Sequence, residues 1–514
     1  MQQHHVPPPI HSTRRGIPRR GLCRARCARL GCVLIASFGL AGLLSGCDGA
    51  DEAGPMAIRV VATGDTNGWI VPCGCASNQA GGLPRRGTLV EQLEAEVGPD
   101  RLLVVDAGGA PGGRSPYDRV KFEAILRGEI LLGVAAHNIG APEAALGPDY
   151  LRRTAEQLDF PFVSANTRDG DGRPLAPGYR EVIRGGRRIA VIGVLSPSFA
   201  QGSLKVTSPE QAVLEILDRW RERPDFLIVL AYLPPEELRE LAEALPEVDL
   251  VLGGPTGQPI APTLVGPVVL AAATNQGKFA VDLELPPVGN SARPKFSSVH
   301  APATRRVSLS SNAPAAAAEQ ARPGRVVELG ERFADHPAQR ENLIAYHQRL
   351  AREDFTPAET SFTTGNSVAA GWTGGEAMVA GVAACAECHP GDTRLWENSK
   401  HAHAWQSIAA KGAHVDPACQ RCHTDGYGLP GGFLSRGATP ARVNVGCESC
   451  HGPSGAHVEN PTVHTPHYRQ AKARCVICHD RENSPHFELE PYWAMIRHGD
   501  SDTPSGEEHH ADEH

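Results

Sequence analysis

Five apolar runs, "AIRVVATGD", "RLLVVDAGG", "RRIAVIGVLS", "DFLIVLAYL" and "VDLVLGG", punctuate the chain between residues 57 and 286. Between them lie stretches such as "GTLVEQLEAEVG", "YLRRTAEQLDF" and "PPEELRELAEALP", whose apolar positions return every three or four residues. Runs of the first kind read as strands buried on both faces, and stretches of the second as amphipathic helices. Their alternation predicts an α/β domain over 57–286, with helices covering a largely buried sheet. The period then stops. Residues 287–384 open on a Pro-, Ala- and Ser-rich run and read as a linker, broken by a helix over 337–353 whose apolar stripe is Leu343, Ile344, Tyr346 and Leu350. Over 385–500 there is little periodicity of either kind, and twelve histidines fall between 385 and 498. The polar stretch 501–514, acidic and histidine-rich, reads as a disordered tail.

The start of the chain has a different character. "RRGIPRRGLCRARCAR" is basic, "LGCVLIASFGLAGLL" is apolar but short for a bilayer span, and "LSGC" follows at once. This is similar to a bacterial lipoprotein signal over 1–46, which makes Cys47 the lipid attachment site. The alternative is an uncleaved anchor helix, and on either reading the body lies outside the cytoplasm, facing the periplasm. The formal net charge of -8 is modest and basic residues cluster only near the start, so the chain carries no nucleic-acid footprint.

Cysteine spacing supplies the chemistry. Of fourteen cysteines, Cys23, Cys27 and Cys32 belong to the signal and Cys47 is the lipid site. Eight more form four pentapeptides: "CAECH" (Cys385, Cys388, His389), "CQRCH" (Cys419, Cys422, His423), "CESCH" (Cys447, Cys450, His451) and "CVICH" (Cys475, Cys478, His479). Two thiols at this spacing add across the vinyl groups of a porphyrin and place the next histidine as axial iron ligand. Zinc ribbons need no histidine after each second thiol. The expectation is four covalently attached haem c groups, in a domain where porphyrins supply core that side chains elsewhere provide. Each iron with two imidazole ligands needs one further histidine, from His401, His403, His414, His457, His464, His467, His486 and His498.

The stretches "WENSKHAHAW", "DPACQRCHTDGYGLPGGF", "VGCESCHGPSGAHV" and "CVICHDRENSPHFELEPYWAMIRHG" resemble the tetrahaem cytochrome c-554 type over about 385–500. The resemblance implies a mostly helical and irregular multihaem domain. It singles out His401, His457 and His498 as distal ligands, with His414 after them, and in that family one haem can lack a distal ligand.

The order "NGWIVPC…GGLPRRGTLV", "VSANTR", "IAVIGVLS" and "VDLVLGGPTG" resembles the periplasmic 5'-nucleotidase branch of the calcineurin-like metallophosphoesterases. That implies a four-layer α/β/β/α sandwich. The family's two metal ions are held by Asp and His at strand ends. Here the Asp-x-His motif stands as Asp65-Thr66-Asn67, the metal-bridging aspartate as Gly109, and "GNHE" as Gly140-Ala141-Pro142-Glu143. The "SH" histidine falls at Tyr232 or Leu233, and "GHTH" leaves Pro255 and Gly257. Independently of any motif, His137 is the one histidine between residues 48 and 299, too few for a dinuclear site of this kind. Phosphatase chemistry is not expected.

Two cysteines remain. Cys73 and Cys75, in "PCGC", sit in the loop after the first strand. A Cys-Gly-Cys pair in an exported chain is a structural disulfide or packed thiols, a strained redox-active pair, or a metal site. Arg85 and Arg86, just beyond, either hold an anionic substrate or face solvent. The functional expectation is a membrane-tethered electron carrier with redox donor and acceptor proteins as partners. The alternative is a redox enzyme acting on a small sulfur or nitrogen compound, at Cys73 and Cys75 or at a haem with an open iron.

Overall fold

The apolar runs stack into two six-stranded sheets in a computed structural model, which describes residues 57–72, 79–286, 324–363 and 378–499. Residues 1–46, read above as a signal, and Cys47, Cys73, Cys75 and the stretch 501–514 lie outside these residues. The first sheet has the order β14 (Gly324–Glu328), β13 (Phe279–Leu285), β1 (Ile58–Thr63), β2 (Leu102–Asp106), β3 (Val134–Asn138) and β4 (Phe162–Val163). The second runs β11 (Ile260–Val265), β12 (Val268–Ala272), β10 (Leu250–Gly254), β9 (Phe226–Tyr232), β7 (Arg187–Leu195) and β6 (Tyr179–Arg184). β5 (Thr167–Arg168) and β8 (Lys205–Val206) make a separate short pair.

Successive residues of the strands serve different cores, as a period of two demands. Val60, Leu103, Val105, Val191, Ile228 and Leu230 meet between the sheets. Their neighbours Val61 and Val104 face Leu89, Val90 and Leu93 of α1 (Leu83–Val97). On the far side Ile192, Val194 and Val229 pack on Val213 of α5 (Pro209–Arg219) and Leu238 and Leu241 of α6 (Pro235–Ala244). α2 (Pro116–Leu131) also covers the first sheet, while α3 (Ala141–Ala145) and α4 (Pro148–Leu158) follow β3. The result is helix, sheet, sheet, helix. Parallel pairing of β1, β2, β3 and β4, and of β7, β9, β10 and β12, collects the strand ends and the loops after them at one edge of the sandwich.

The segment between 287 and 384 is not wholly a linker. β14 pairs antiparallel with β13 on the edge of the first sheet, and α7 (Pro337–Glu353) lies along α2. One five-residue edge strand gives too little period to read. The stripe of α7 also differs from expectation. Ile344 is 53% exposed, whereas Gln339 and Asn342 face inward and donate to the α2 carbonyls of Gly128 (2.7 Å) and Ala124 (2.9 Å). Polar side chains turn inward here because helix carbonyls await them.

Candidate functional site

Each pentapeptide of the C-terminal region includes a short helix: Val382–Cys388, Pro417–His423, Glu448–His451 and Cys475–Cys478. A helical turn puts the two cysteines of a pair on one face with the histidine one position beyond. No disulfide joins any two of these eight cysteines. The described region holds one modest apolar cluster, Trp405, Ile408, Tyr427 and Phe433, so side chains alone give it little core.

Three histidine pairs stand out. The ring of His389 faces that of His457 with centroids 6.3 Å apart, His479 faces His401 at 6.2 Å, and His451 faces His498 at 5.7 Å. With a metal–imidazole bond of about 2 Å, two rings on opposite sides of one ion sit roughly 6 Å apart. The pairs therefore fit an iron between them. The ring nitrogens agree. Nδ1 of His457 lies 2.7 Å from the Val463 carbonyl, Nδ1 of His498 2.8 Å from that of Ile496, and Nδ1 of His423 2.8 Å from that of Ala404. A carbonyl only accepts, so each Nδ1 carries the proton and Nε2 keeps its lone pair for a metal. Burial pushes the His401, His423, His451 and His479 imidazoles below their ordinary pKa, which favours the neutral form. His414 packs edge-on against Trp405, at 5.8 Å.

The order of the motifs in space is not their order in sequence. The side chains of Cys385 and Cys447 lie beside each other, as do those of Cys422 and Cys478. Cys450 lies near Cys475 and Cys478. Contacts thus run from first to third, third to fourth, and fourth to second.

In the layered domain the strand-end edge is closed. Tyr232 ends β9 buried, and its ring packs on Phe199 at 5.4 Å. A Cβ at Gly109 would stand 2.8 Å from that ring, and one at Gly140 2.7 Å, so neither position admits a side chain beside it. The Glu143 carboxylate accepts from the backbone N–H groups of Gly109, Ala110 and Gly140. Asp65 accepts from the Thr274 hydroxyl (2.8 Å) and the Asn275 N–H (3.3 Å). Beneath this edge lies a buried charge network. His137 holds Glu129 at 2.7 Å and Glu143 at 3.2 Å, with Asp106 3.7 Å away. One ligand atom from each of Asp106, Glu129 and His137 lies within 4.8 Å of the others, the spacing of a metal site. A cation is already placed there: the Arg86 guanidinium stands 3.7 Å from Asp106 and 3.9 Å from Glu129. Arg86 is 1% exposed and so faces neither solvent nor a substrate, and Arg85 donates to the backbone carbonyls of Gln79 and Leu329. At the described flank of the thiol loop, Gln79 donates to the carbonyl of Glu482 (2.8 Å), whose carboxylate pairs with Lys278.

Comparison with known proteins gives these sites a context. The family model of cytochrome c554 and c-prime matches residues 384–452. Cytochrome c-554 of Nitrosomonas europaea is 33% identical over 159 residues, covering 24% of this chain and 66% of that protein. The C-terminal region is a cytochrome c554 domain. The matched segment includes the first three pentapeptides, with the fourth beyond it. The chain is also 25% identical over 203 residues to a 5'-nucleotidase of Vibrio vulnificus, covering 35% of this chain and 37% of the relative. Among solved structures, the 5'-nucleotidase precursor of Thermus thermophilus aligns with a TM-score of 0.43 at 20% identity, over 59% of this chain and 60% of that one. In each case the chain spans less than two thirds of the relative's length.

Sequence reasoning missed the network beneath the closed edge. Its signal was present: Arg86 stands on the buried stripe of α1 with Val90 and Leu93, and Glu129 on that of α2 with Phe122, Ile125 and Leu126. A charge on an apolar stripe announces a buried partner.

Proposed function

We propose that the protein is a multihaem electron carrier with four haem c groups, attached at Cys385/Cys388, Cys419/Cys422, Cys447/Cys450 and Cys475/Cys478. The reading assigns His389 with His457, His479 with His401, and His451 with His498 as axial ligand pairs, and His423 as the axial ligand of the second motif. The observation that carries it is the set of three facing imidazole pairs at 5.7 to 6.3 Å. A bound haem supplies a one-electron ferric/ferrous couple. The protein's part is to orient the His423, His457 and His498 imidazoles through their Nδ1 hydrogen bonds and to set the motifs side by side as first, third, fourth, second. Attachment of this kind suits a chain exported and tethered by a lipid on Cys47, exchanging electrons with periplasmic partner proteins.

The haem count is the direct test. The holoprotein is expected to contain four haems by pyridine haemochromogen assay and intact mass, with low-spin ferric signals from the three paired irons in low-temperature EPR. An unmodified 475–479 peptide, or fewer than three low-spin irons, would defeat the assignment.

The same reading holds that the nucleotidase-like domain no longer hydrolyses phosphate esters through metals. Tyr232 supports this by filling the space between Gly109 and Gly140. Incubation of the holoprotein with a nucleoside monophosphate and Mn²⁺, Mg²⁺, Zn²⁺ or Ca²⁺ is expected to release phosphate no faster than buffer. Release abolished by a chelator would show the opposite.

A further inference from the structure

The residues that lead into the second pentapeptide pack against the layered domain and α7. The pentapeptide's helix, Pro417–His423, is capped by Asp416, whose carboxylate accepts from the Ala418 N–H at 2.8 Å. The same carboxylate accepts from the Tyr117 hydroxyl of α2 at 2.6 Å and from the Tyr346 hydroxyl of α7 at 3.0 Å. Lys121, one turn beyond Tyr117, donates to the Tyr117 hydroxyl (2.9 Å) and stands 4.0 Å from Asp416. Val415 and Ala418 pack on the cluster that contains Tyr117, Tyr346, Leu350 and Phe355, and Arg421 lies over the Phe362 ring at 4.9 Å.

The charge state of this group follows from its partners. Burial opposes ionisation of Asp416, but Lys121, the Tyr117 hydroxyl and the Ala418 N–H outweigh it and hold its pKa below the ordinary value. Burial and the neighbouring carboxylate push Tyr117 and Tyr346 well up, so both stay neutral donors. His347, also facing from α7, is pushed down by burial. Three hydrogen-bond donors, Tyr117, Tyr346 and the Ala418 N–H, and Lys121 at 4.0 Å surround the Asp416 carboxylate and favour its anion, 5% exposed, at the head of the helix that carries Cys419, Cys422 and His423.

We infer that Asp416 is a positioning residue through which the nucleotidase-like domain fixes the second haem motif and lowers the reduction potential of the haem there. This rests on the proposed attachment of a haem at Cys419 and Cys422. Reduction adds one electron to the iron, breaks no bond, and brings negative charge toward a buried carboxylate. In a medium less polarisable than water that approach is costly, so the ferric form is favoured. Lys121 is the counterweight, and its removal exposes the full charge of the carboxylate. The nucleotidase-like domain on this account is a wall of a redox site, whatever became of its own chemistry.

The test is a spectroelectrochemical titration of full-length holoprotein, with redox mediators and dithionite as reductant. Asp416→Asn is expected to move one of the four midpoints upward and Lys121→Met to move the same one downward, with the other three unchanged. The moving component is the one missing when Cys419 and Cys422 are both replaced by serine. Loss of a purely structural contact would not give shifts of opposite sign. Lys121 is partly exposed, so its variant keeps the test alive if Asp416→Asn does not fold. No movement in either variant, movement of all four midpoints, or shifts in the same direction would overturn the inference. A wild-type 417–423 peptide without haem would instead remove the reading beneath it.

Discussion

Replacing His457 by alanine is expected to convert one low-spin iron of the holoprotein into one that binds carbon monoxide, leaving the others as they were. His457 is aimed by its Nδ1 hydrogen bond to Val463 and faces His389, so its loss opens one coordination position and disturbs little else. His401→Ala should do the same to the fourth motif through His479. His464→Ala is the contrast, because that ring stacks on Tyr468 at 4.5 Å, and its variant is expected to keep the parent spectrum. A reduced-minus-oxidised spectrum with and without carbon monoxide separates these results. A His457→Ala protein with every iron still low-spin and closed to carbon monoxide would refute the pairing.

The second large effect concerns stability. Glu129→Ala is expected to cost the layered domain about 3 to 5 kcal/mol, the range seen when one member of a buried ion pair is removed. His137 and Arg86 would be left with one carboxylate fewer in a place water does not reach. Urea unfolding followed by far-ultraviolet circular dichroism measures it, and a loss below about 1 kcal/mol, typical of an exposed pair, would show that the network is not coupled. The network also fixes a pH dependence. Burial disfavours the charged imidazole of His137, but Glu129 and Asp106 beside it prevail and raise its pKa well above 6.5. A raised folded pKa gives stability that is complete below about 6.5 and is lost as pH climbs through the folded value. Burial raises Glu129 as well, despite His137 beside it, and a carboxyl that holds its proton more tightly when folded pulls in the same direction. The urea midpoint should therefore fall as pH rises from 6, and the slope should flatten in His137→Gln. A midpoint that rises over this range would reverse the assignment.

What could be read from the sequence depended on how locally each feature is specified. Strands such as Arg187–Leu195 and Phe226–Tyr232 are buried on both faces and show as unbroken apolar runs. The edge strands Tyr179–Arg184 and Gly324–Glu328 are half exposed and short, and their residues look like loop. The pentapeptides were legible because covalent attachment to one porphyrin fixes the thiol spacing within a single helical turn. The histidines facing them come from distant parts of the chain in either direction. Only resemblance could name His401, His457 and His498, and no spacing of their own marks them. The resemblance places Tyr232 or Leu233 where the family has a histidine. That the Tyr232 ring lies against Gly109 and Gly140 is a matter of three-dimensional packing and has no local signal in the sequence.

The thiol contacts described above have a consequence for how the C-terminal region comes into being. They join first to third, third to fourth, and fourth to second, so any single cut of the chain between pentapeptides severs at least one contact, and a cut at the middle severs two. The region is braided, not built of consecutive halves. A chain made from its N-terminus presents its first two pentapeptides before either has met its neighbour, and the braid closes only when the last of the four arrives.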